Sequence, residues 1–374
     1  MDNIKLIWMS AGEASGDQHG AALQAAITRK DPGVRFIGMG GQAMREAGLE
    51  PVIRSEDLSV MGLTEVLSHF PKILKFLRTI KRELKTTRPD LVVLLDAPEF
   101  NFRVARMAHT LNIPVVYYIS PKIWAWRSGR VKFIQRFVRE MICILPFERD
   151  FYARSGVGVK YVGHPLLDAT RSPEILSIHP RQNRIGILPG SRLGELKSLL
   201  PLFGESARIL KILNPDLKFS LVLAPNVDEV LIRSLWTVDV PLDIHPHQER
   251  YSTIRRCHAV MAASGTVTLE TGLLETPTVV CYKFAPLTAA LAKRVIQVPY
   301  ASLTNLILQK EVFPELLQER ATARNIAAAI WTWRAHPEER IRVIKELERL
   351  PSILGSGGAV DRAADIVLDH LRTL

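Results

Sequence analysis

Two short stretches of this chain bring together residue types that can do chemistry. Asp96 closes the aliphatic run Leu91-Val92-Val93-Leu94-Leu95 and is followed by Ala97-Pro98-Glu99-Phe100-Asn101. A continuous apolar run of this length reads as a strand buried on both faces of a parallel sheet, and in open α/β sheets the ligand lies beyond the carboxyl ends of the strands. Pro98 biases Ala97 away from helical backbone, so the loop is expected to stay extended above the strand. A carboxylate fixed there can act as a general base; the alternative is that Asp96 merely caps the following helix. The second stretch, Ile185-Gly186-Ile187-Leu188-Pro189-Gly190-Ser191-Arg192, reads as strand, tight turn and helix, with Ser191 as cap and the helix running on through Glu195, Leu196, Leu199 and Leu200. Such a turn aims backbone N–H groups and the positive end of a helix dipole at whatever sits above the strand, which suits a phosphate. Arg192 adds a bidentate cation; an ordinary strand-to-helix turn is the alternative. Farther on, Ser264-Gly265-Thr266 offers similar donors, and Glu270 follows Thr266 by four residues on the same helical face. A nucleotide diphosphate with its ribose hydroxyls fits that arrangement.

The elements around these stretches repeat one rhythm. In the first half, Lys5–Met9, Val34–Ile37, Leu91–Leu95, Pro114–Ser120, Met141–Leu145 and Val159–Val162 are expected strands, separated by helical stretches. Ser10 to Asp17 is the loop into the first helix, and it puts Glu13, Ser15 and Asp17 at a strand end. GxGxxG is absent, and the second strand runs into Gly38-Met39-Gly40-Gly41 with no acid to hold a ribose, so a dehydrogenase loses its support. GxxxxGK[ST] is absent too. Trp124 and Trp126 beside Lys122 and Arg127 can stack on a ligand or sit in a core. His164 in Gly163-His164-Pro165 is a candidate polar contact or a shaper of its turn.

Residues 166–183, rich in Pro, Ser, Asn and Arg, read as a linker between a first domain over 1–165 and a second over 184–310, with C-terminal helices over 311–374. Strands are expected again at Arg184–Leu188, Leu217–Leu223, Val240–Ile244, Ala259–Ala262 and Pro277–Tyr282. Asn305 is expected in a polar loop facing the same sheet edge. The fold class is therefore α/β, with two doubly wound Rossmann-like lobes facing across a cleft, the architecture of glycosyltransferases of the two-Rossmann-domain type.

Composition narrows the function classes. At 47% apolar and 23% charged residues the chain is an ordinary core-forming protein, and three widely spaced cysteines without CxxC argue against disulfides or zinc. No apolar run approaches a spanning helix, and the opening residues lack a signal-peptide layout, so a cytoplasmic protein is expected. The net charge of +11 is local: residues 72–88 hold seven basic side chains and one acid, residues 122–139 hold six and none, and the remainder is close to neutral. In the first of these stretches Ile73, Leu77, Ile80 and Leu84 form one stripe of an amphipathic helix, with the basic residues opposite. Just before it, Leu58, Val60, Met61, Leu63, Val66, Leu67 and Phe70 crowd together. A helix covering a sheet explains this pattern. The sharper reading lets Val60, Met61, Leu63, Val66, Leu67 and Phe70 enter a membrane interface while Lys72, Lys75, Arg78 and Arg82 meet anionic lipid. Aromatic residues do not alternate with basic ones here as a single-strand nucleic-acid platform requires, so no nucleic-acid partner is expected.

These residues together resemble the lipid-A-disaccharide synthases of Gram-negative bacteria. The resemblance rests on Gly12-Glu13-Ala14-Ser15-Gly16-Asp17, Val60-Met61-Gly62, Asp96-Ala97-Pro98-Glu99-Phe100-Asn101, Ser120-Pro121 with Trp124-Ala125-Trp126-Arg127, Leu145-Pro146-Phe147-Glu148, Gly163-His164-Pro165, Leu188-Pro189-Gly190-Ser191-Arg192, Ser264-Gly265-Thr266 to Glu270, and Tyr300 to Leu306. It spans about residues 5–310, and it departs at Thr304, where the family typically has proline. It implies inverting transfer of a 2,3-diacylglucosamine unit from its UDP donor onto the 6-hydroxyl of 2,3-diacylglucosamine 1-phosphate, giving a β-1,6 disaccharide and UDP. Asp96 would be the base. Gly190, Ser191, Arg192, Ser264, Gly265, Thr266, Glu270 and Asn305 would hold the nucleotide, and Glu13, Ser15, Asp17, Trp126 and His164 would line the acceptor side or other parts of the cleft. The implied partners are the acylated UDP-sugar, the acylated sugar 1-phosphate, anionic lipid on the cytoplasmic face of the inner membrane, and a second copy in an intertwined homodimer. No cofactor is implied, and the absence of Asp-x-Asp favours a metal-independent reaction. The rival reading is another UDP-sugar enzyme of this fold, an epimerase or a peptidoglycan-type transferase; Gly12 to Asp17 lacks the GGTGGH-like run expected of the latter.

Overall fold

The computed structural model describes residues 5–59, 70–126, 128–225, 227–283 and 298–373. The chain divides into two compact lobes, one of residues 1–165 with 356–374 and the other of residues 166–355. Lobe one is built on seven parallel strands: β1 (Leu6–Ala11), β2 (Arg35–Gly40), β3 (Leu49–Arg54), β4 (Leu91–Leu95), β5 (Val115–Tyr118), β6 (Glu140–Cys143) and β7 (Lys160–Tyr161), in the order β3-β2-β1-β4-β5-β6-β7. All five residues of β4 are fully buried, as an uninterrupted aliphatic run between two helical layers requires. Lobe two carries six parallel strands: β8 (Arg181–Leu188), β9 (Lys218–Val222), β10 (Leu242–His245), β11 (Cys257–Ala263), β12 (Thr278–Tyr282) and β13 (Glu315–Leu317), ordered β10-β9-β8-β11-β12-β13.

In each sheet the strand order reverses once, between β1 and β4 in lobe one and between β8 and β11 in lobe two. Helices leave to opposite faces at such a reversal, so a crevice opens beyond the strands' carboxyl ends. The loops that follow these four strands are Gly12–Glu13, Asp96–Ala97, Pro189–Arg192 and Ser264–Thr266. Both doubly wound sheets thus place the chemically interesting stretches at their reversals.

Two strands were not evident from the sequence. β3, with Glu50, Pro51 and Arg54, is an edge strand exposed on one side, and β13 is a three-residue edge beside β12. Residues 166–183 contain the helices Leu166–Thr170 and Pro173–Leu176 before β8 begins. The C-terminal helices divide between the lobes: Ala323–Ala335, Pro337–Leu347 and Leu350–Leu354 lie in lobe two, whereas Ala359–Arg372 packs on the first helix, Ala14–Lys30, of lobe one. Ion pairs Arg29–Asp361 at 2.7 Å and Lys30–Asp365 at 2.6 Å edge that packing, and the Arg362 guanidinium donates to the Val162 carbonyl. Cys143, Cys257 and Cys281 are all buried free thiols.

The amphipathic helix runs from Phe70 to Thr87, with Leu77, Ile80 and Leu84 buried and Lys72, Lys75, Arg78 and Arg82 exposed. Val60, Met61, Leu63, Val66 and Leu67 and the side chains of Phe70 and Trp126 lie outside the described residues. Among the described residues no helix is long and apolar enough to cross a membrane.

Candidate functional site

The lobe-one site is assembled around Asp96. Its backbone is not extended: Asp96 and Ala97 both adopt left-handed backbone, at φ 47° and 37°, and the helix Pro98–Thr110 starts at once with Pro98 in its first turn. Left-handed backbone at non-glycine residues costs on the order of 1–3 kcal/mol each and persists only where the surroundings fix it. Asn101 does the fixing. Fully buried, its amide nitrogen donates to the carbonyls of Leu95 (2.7 Å), Asp96 (3.1 Å) and Ser10 (3.2 Å), while its oxygen accepts from the Ser10 hydroxyl at 2.6 Å. The Tyr117 hydroxyl donates to the Asp96 carbonyl at 2.5 Å. Through these bonds β1, β4 and β5 jointly set the direction of one side chain.

That side chain does not cap its own helix. The Asp96 carboxylate reaches the turn after β1 and accepts from the N–H groups of Gly12 (2.8 Å) and Glu13 (3.0 Å). Gly16 makes room for it, since a β-carbon there would lie 1.7 Å from Oδ2 of Asp96. Burial pushes the Asp96 carboxyl well above the usual carboxylate range; the charges of Glu13 and Asp17 add to the rise, and the two N–H bonds oppose it. A half-buried carboxyl at a sheet reversal, made more basic by its surroundings, has the character of a proton acceptor.

The other lobe-one candidates separate by geometry. Glu13, on the turn that binds Asp96, and Ser15, in the first turn of the helix Ala14–Lys30, are both exposed. Asp17 is turned inward, and its carboxylate is spent on the N–H groups of Gly41 (2.7 Å), Ala43 (2.9 Å) and Met44 (3.1 Å), so it fastens the helix Gln42–Glu46 rather than facing a ligand. His164 is buried, and burial together with neighbouring His19 lowers its pKa to about 3; burial alone lowers His19 to about 4. Both rings are therefore neutral at physiological pH. Glu148 closes the motif Leu145-Pro146-Phe147-Glu148 without a role evident from sequence, yet this fully buried carboxylate organises the tryptophan loop. It accepts from the Trp124 indole N–H (3.1 Å) and from the N–H groups of Leu145 (3.0 Å) and Ile144 (3.3 Å), and burial raises its pKa to about 7.

In lobe two, Gly190 has φ 101°, a conformation that demands glycine, and Glu195 uses the space that it leaves, since a β-carbon there would lie 2.2 Å from Oε2 of Glu195. The helix Leu193–Leu213 is capped by Arg192 rather than Ser191. Its first donors are already engaged: Glu195 folds back and accepts from the N–H groups of Ser191 (3.3 Å) and Arg192 (3.4 Å). These bonds are long. The Arg192 side chain is 65% exposed and 3.5 Å from the same carboxylate, so cation and donors are gathered where a diphosphate can replace one carboxylate.

The turn after β11 lies close by in the same sheet. A β-carbon at Gly265 would meet nothing within 4 Å, leaving the backbone open to close approach. The N–H groups of Gly265 and Thr266 have no acceptor among the described residues, and the Ser264 hydroxyl donates to the Ala301 carbonyl at 2.8 Å. Glu270 is buried and ion-paired with Arg250 from the helix Arg250–Arg256; burial raises its pKa and the arginine opposes the rise. Asn305 faces inward. Its amide donates to the Phe313 carbonyl (2.8 Å) and to Glu315 (2.9 Å), and its oxygen accepts from the N–H groups of Val312 and Phe313, both at 2.9 Å. With every valence used, Asn305 supports the loop that receives Ser264 instead of contacting a nucleotide itself. The sequence signals for Asn101, Tyr117, Glu148 and Arg250 were weak, because each acts across a distance in sequence that only the fold closes.

Comparisons with known proteins bear on the family and the fold. Residues 7–349 match the family model described as Lipid-A-disaccharide synthetase. The lipid-A-disaccharide synthase of Geobacter metallireducens is 41% identical, covering 98% of this chain and 97% of its own. That of Myxococcus xanthus is 39% identical, covering 99% of both. Among solved structures, UDP-GlcNAc 2-epimerase from Neisseria meningitidis bound to UDP-GlcNAc superposes with a TM-score of 0.61 at 12% identity, over 97% of this chain and 99% of that one. The calicheamicin glycosyltransferase superposes at 0.62 and 17% identity over all of both chains. At such identities the structural likeness speaks for the fold, two Rossmann-like lobes of the glycosyltransferase type.

Proposed function

Because the chain belongs to the lipid-A-disaccharide synthetase family, a family of glycosyltransferases in lipid A biosynthesis, we propose that it joins UDP-2,3-diacylglucosamine to 2,3-diacylglucosamine 1-phosphate with inversion at the anomeric carbon. The observation that carries this reading is the division of labour between the two sheet reversals. Lobe one offers a proton acceptor, Asp96, on over-determined backbone; lobe two offers donors and a cation for a diphosphate. In the proposed step the acceptor's 6-hydroxyl gives its proton to Asp96 as its oxygen bonds to the anomeric carbon. The bond from that carbon to the diphosphate breaks on the opposite side. Arg192 and the N–H groups of Ser191, Gly265 and Thr266 stabilise the charge that appears on UDP, and Glu195 yields its two donors to the diphosphate. Glu270 takes ribose hydroxyls, held by Arg250. Glu13, on the turn that binds Asp96, and Ser15, in the helix that follows it, lie on the acceptor side.

Both substrates carry long acyl chains, and each buried CH₂ is worth about 0.8 kcal/mol, so extraction into water is unfavourable and the reaction belongs at a membrane surface. The exposed Lys72, Lys75, Arg78 and Arg82 support docking on anionic lipid, on the cytoplasmic face of the inner membrane. The reaction is tested by mixing the protein with both acylated sugars in detergent and following UDP. Release that requires both sugars is expected. Interconversion of UDP-N-acetylglucosamine without acceptor-dependent UDP release would favour an epimerase instead.

A further inference from the structure

We propose that a ladder of phenylalanine rings and guanidiniums on lobe one is a receptor for the phosphate headgroups of anionic membrane lipid. This rests on the membrane docking proposed above but concerns residues outside the amphipathic helix. Phe102, on the helix Pro98–Thr110, stacks at 4.6 Å between centroids on Phe133, which stacks at 4.5 Å on Phe137; both of the latter belong to the helix Val131–Phe137. Guanidiniums lie over each rung. Arg130 is 5.3 Å from the Phe102 centroid, Arg106 is 5.6 Å from Phe133 and 5.4 Å from Phe137, and Arg136 is 5.2 Å from Phe137. Separations below about 6 Å are attractive for a cation over a ring face and hold the planar groups in place.

Arg130 is neutralised by Glu99 at 2.6 Å. Arg106 and Arg136 have no carboxylate partner among the described residues. Arg106 also lines a groove of about 590 Å³ with Lys81 of the amphipathic helix, Arg103, Met107 and Phe133. The two basic stretches of the sequence therefore converge on one face, and a helix that neither contains supplies the arginines that bridge them. An exposed cation is ordinary. Two guanidiniums held on aromatic rings, with a further Arg and Lys on the rim and one already paired acid nearby, form a preorganised receptor for phosphate, whose oxygens the planar fork matches.

Lipid fits this surface better than a nucleic-acid strand. The three rings are engaged by one another and by guanidiniums, and His109 meets Phe137 edge-on at 5.2 Å, so no ring is presented as a bare stacking platform for bases.

The test is sedimentation of the full chain with vesicles of phosphatidylcholine, with and without phosphatidylglycerol. Wild type should bind the anionic vesicles and lose binding as salt rises. Arg106→Gln with Arg136→Gln should weaken partitioning about 25-fold, near five-fold for each basic residue removed at the surface. The equal charge loss Arg149→Gln with Arg154→Gln should change it little. Arg106→Lys with Arg136→Lys keeps the charge but not the fork, and should recover only part of the binding. Thermal unfolding and UDP affinity of each variant establish that folding is intact. If wild type ignores anionic vesicles, the docking reading itself fails. If wild type binds while the Gln pair equals either wild type or the Arg149 and Arg154 control, the ladder proposal is overturned. Tighter binding to a single-stranded oligonucleotide than to anionic vesicles, lost in the Gln pair, would overturn it in favour of a nucleic-acid surface.

Discussion

The turns that follow β1 and β8 occupy equivalent places in the two sheets, and each aims two consecutive N–H groups at a carboxylate. In lobe one the donors are Gly12 and Glu13, and the acceptor is Asp96, 84 residues away at the end of the neighbouring strand, at 2.8 and 3.0 Å. In lobe two the donors are Ser191 and Arg192, and the acceptor is Glu195, within the next helical turn, at 3.3 and 3.4 Å. Asp96 is held by strained backbone, by Asn101 and by Tyr117. Glu195 hangs from one flexible side chain on long bonds. The same turn thus serves two ends: in lobe one it fixes the proposed base, and in lobe two the carboxylate occupies donors that, in the proposed reaction, the diphosphate takes over.

The comparison breaks most visibly at Gly16. A β-carbon there would collide with Asp96 at 1.7 Å from Oδ2 and 2.5 Å from Cγ. Gly16→Ala should lower turnover at least ~10²-fold, the scale of losing a positioned base, with UDP affinity near normal, whereas Ser15→Ala beside it should leave the Asp96 geometry intact. Turnover with both acylated sugars measures this, and an unimpaired Gly16→Ala would separate Asp96's placement from the chemistry. In lobe two, Arg192→Ala should weaken UDP binding by ~1.5 to 3 kcal/mol, the scale of a charge-assisted hydrogen bond. Calorimetry reads it, and unchanged affinity would remove the anion site from this turn.

Much of this contrast was legible in the sequence, and its limits are physical. β4 announced itself because burial on both faces demands an unbroken aliphatic run, and Asp96 stands out as the first polar residue after it. β3 and β13 stayed hidden because edge strands need satisfy only one face and, in β13, only three residues. Pro98 opens a helix instead of holding the loop extended: proline suits both places, and here left-handed backbone at Asp96 and Ala97 makes the difference. Asn305 looked like a ligand contact because a polar residue in a loop usually faces outward. Its burial depends on Glu315 and on the carbonyl of Phe313, which no local pattern reveals. Glu195 was read only as part of a helix, since its fold-back onto Ser191 depends on Gly190 leaving space for it.

Two gentler measurements sharpen the comparison. Glu148, a carboxylate buried on structural duty in lobe one, has its pKa raised to about 7 by burial. A raised folded pKa means that its contribution to stability is fully present below the ordinary carboxylate range and is lost as pH rises towards 7. Between about pH 4.5 and 7 that loss is on the order of 3 kcal/mol, so the stability difference between wild type and Glu148→Gln should shift by that order across the window in denaturant titrations. A difference that stays constant with pH would mean that Glu148 is solvated. The smallest expected effect is at Glu195. Glu195→Gln keeps an acceptor for the turn but removes the charge that a diphosphate must displace, so UDP affinity should rise about two- to five-fold, a surface-scale electrostatic effect. A fall in affinity would make Glu195 a partner of the nucleotide rather than its stand-in.

If proton transfer resides in lobe one and nucleotide binding in lobe two, Asp96→Asn separates the two in a single experiment. The substitution preserves shape and removes basicity. In one preparation, turnover with both acylated sugars and calorimetric UDP affinity should be measured beside wild type. Turnover should fall at least ~10²-fold with UDP affinity unchanged; near-normal turnover, or UDP affinity lost together with turnover, would rule out that division between the lobes.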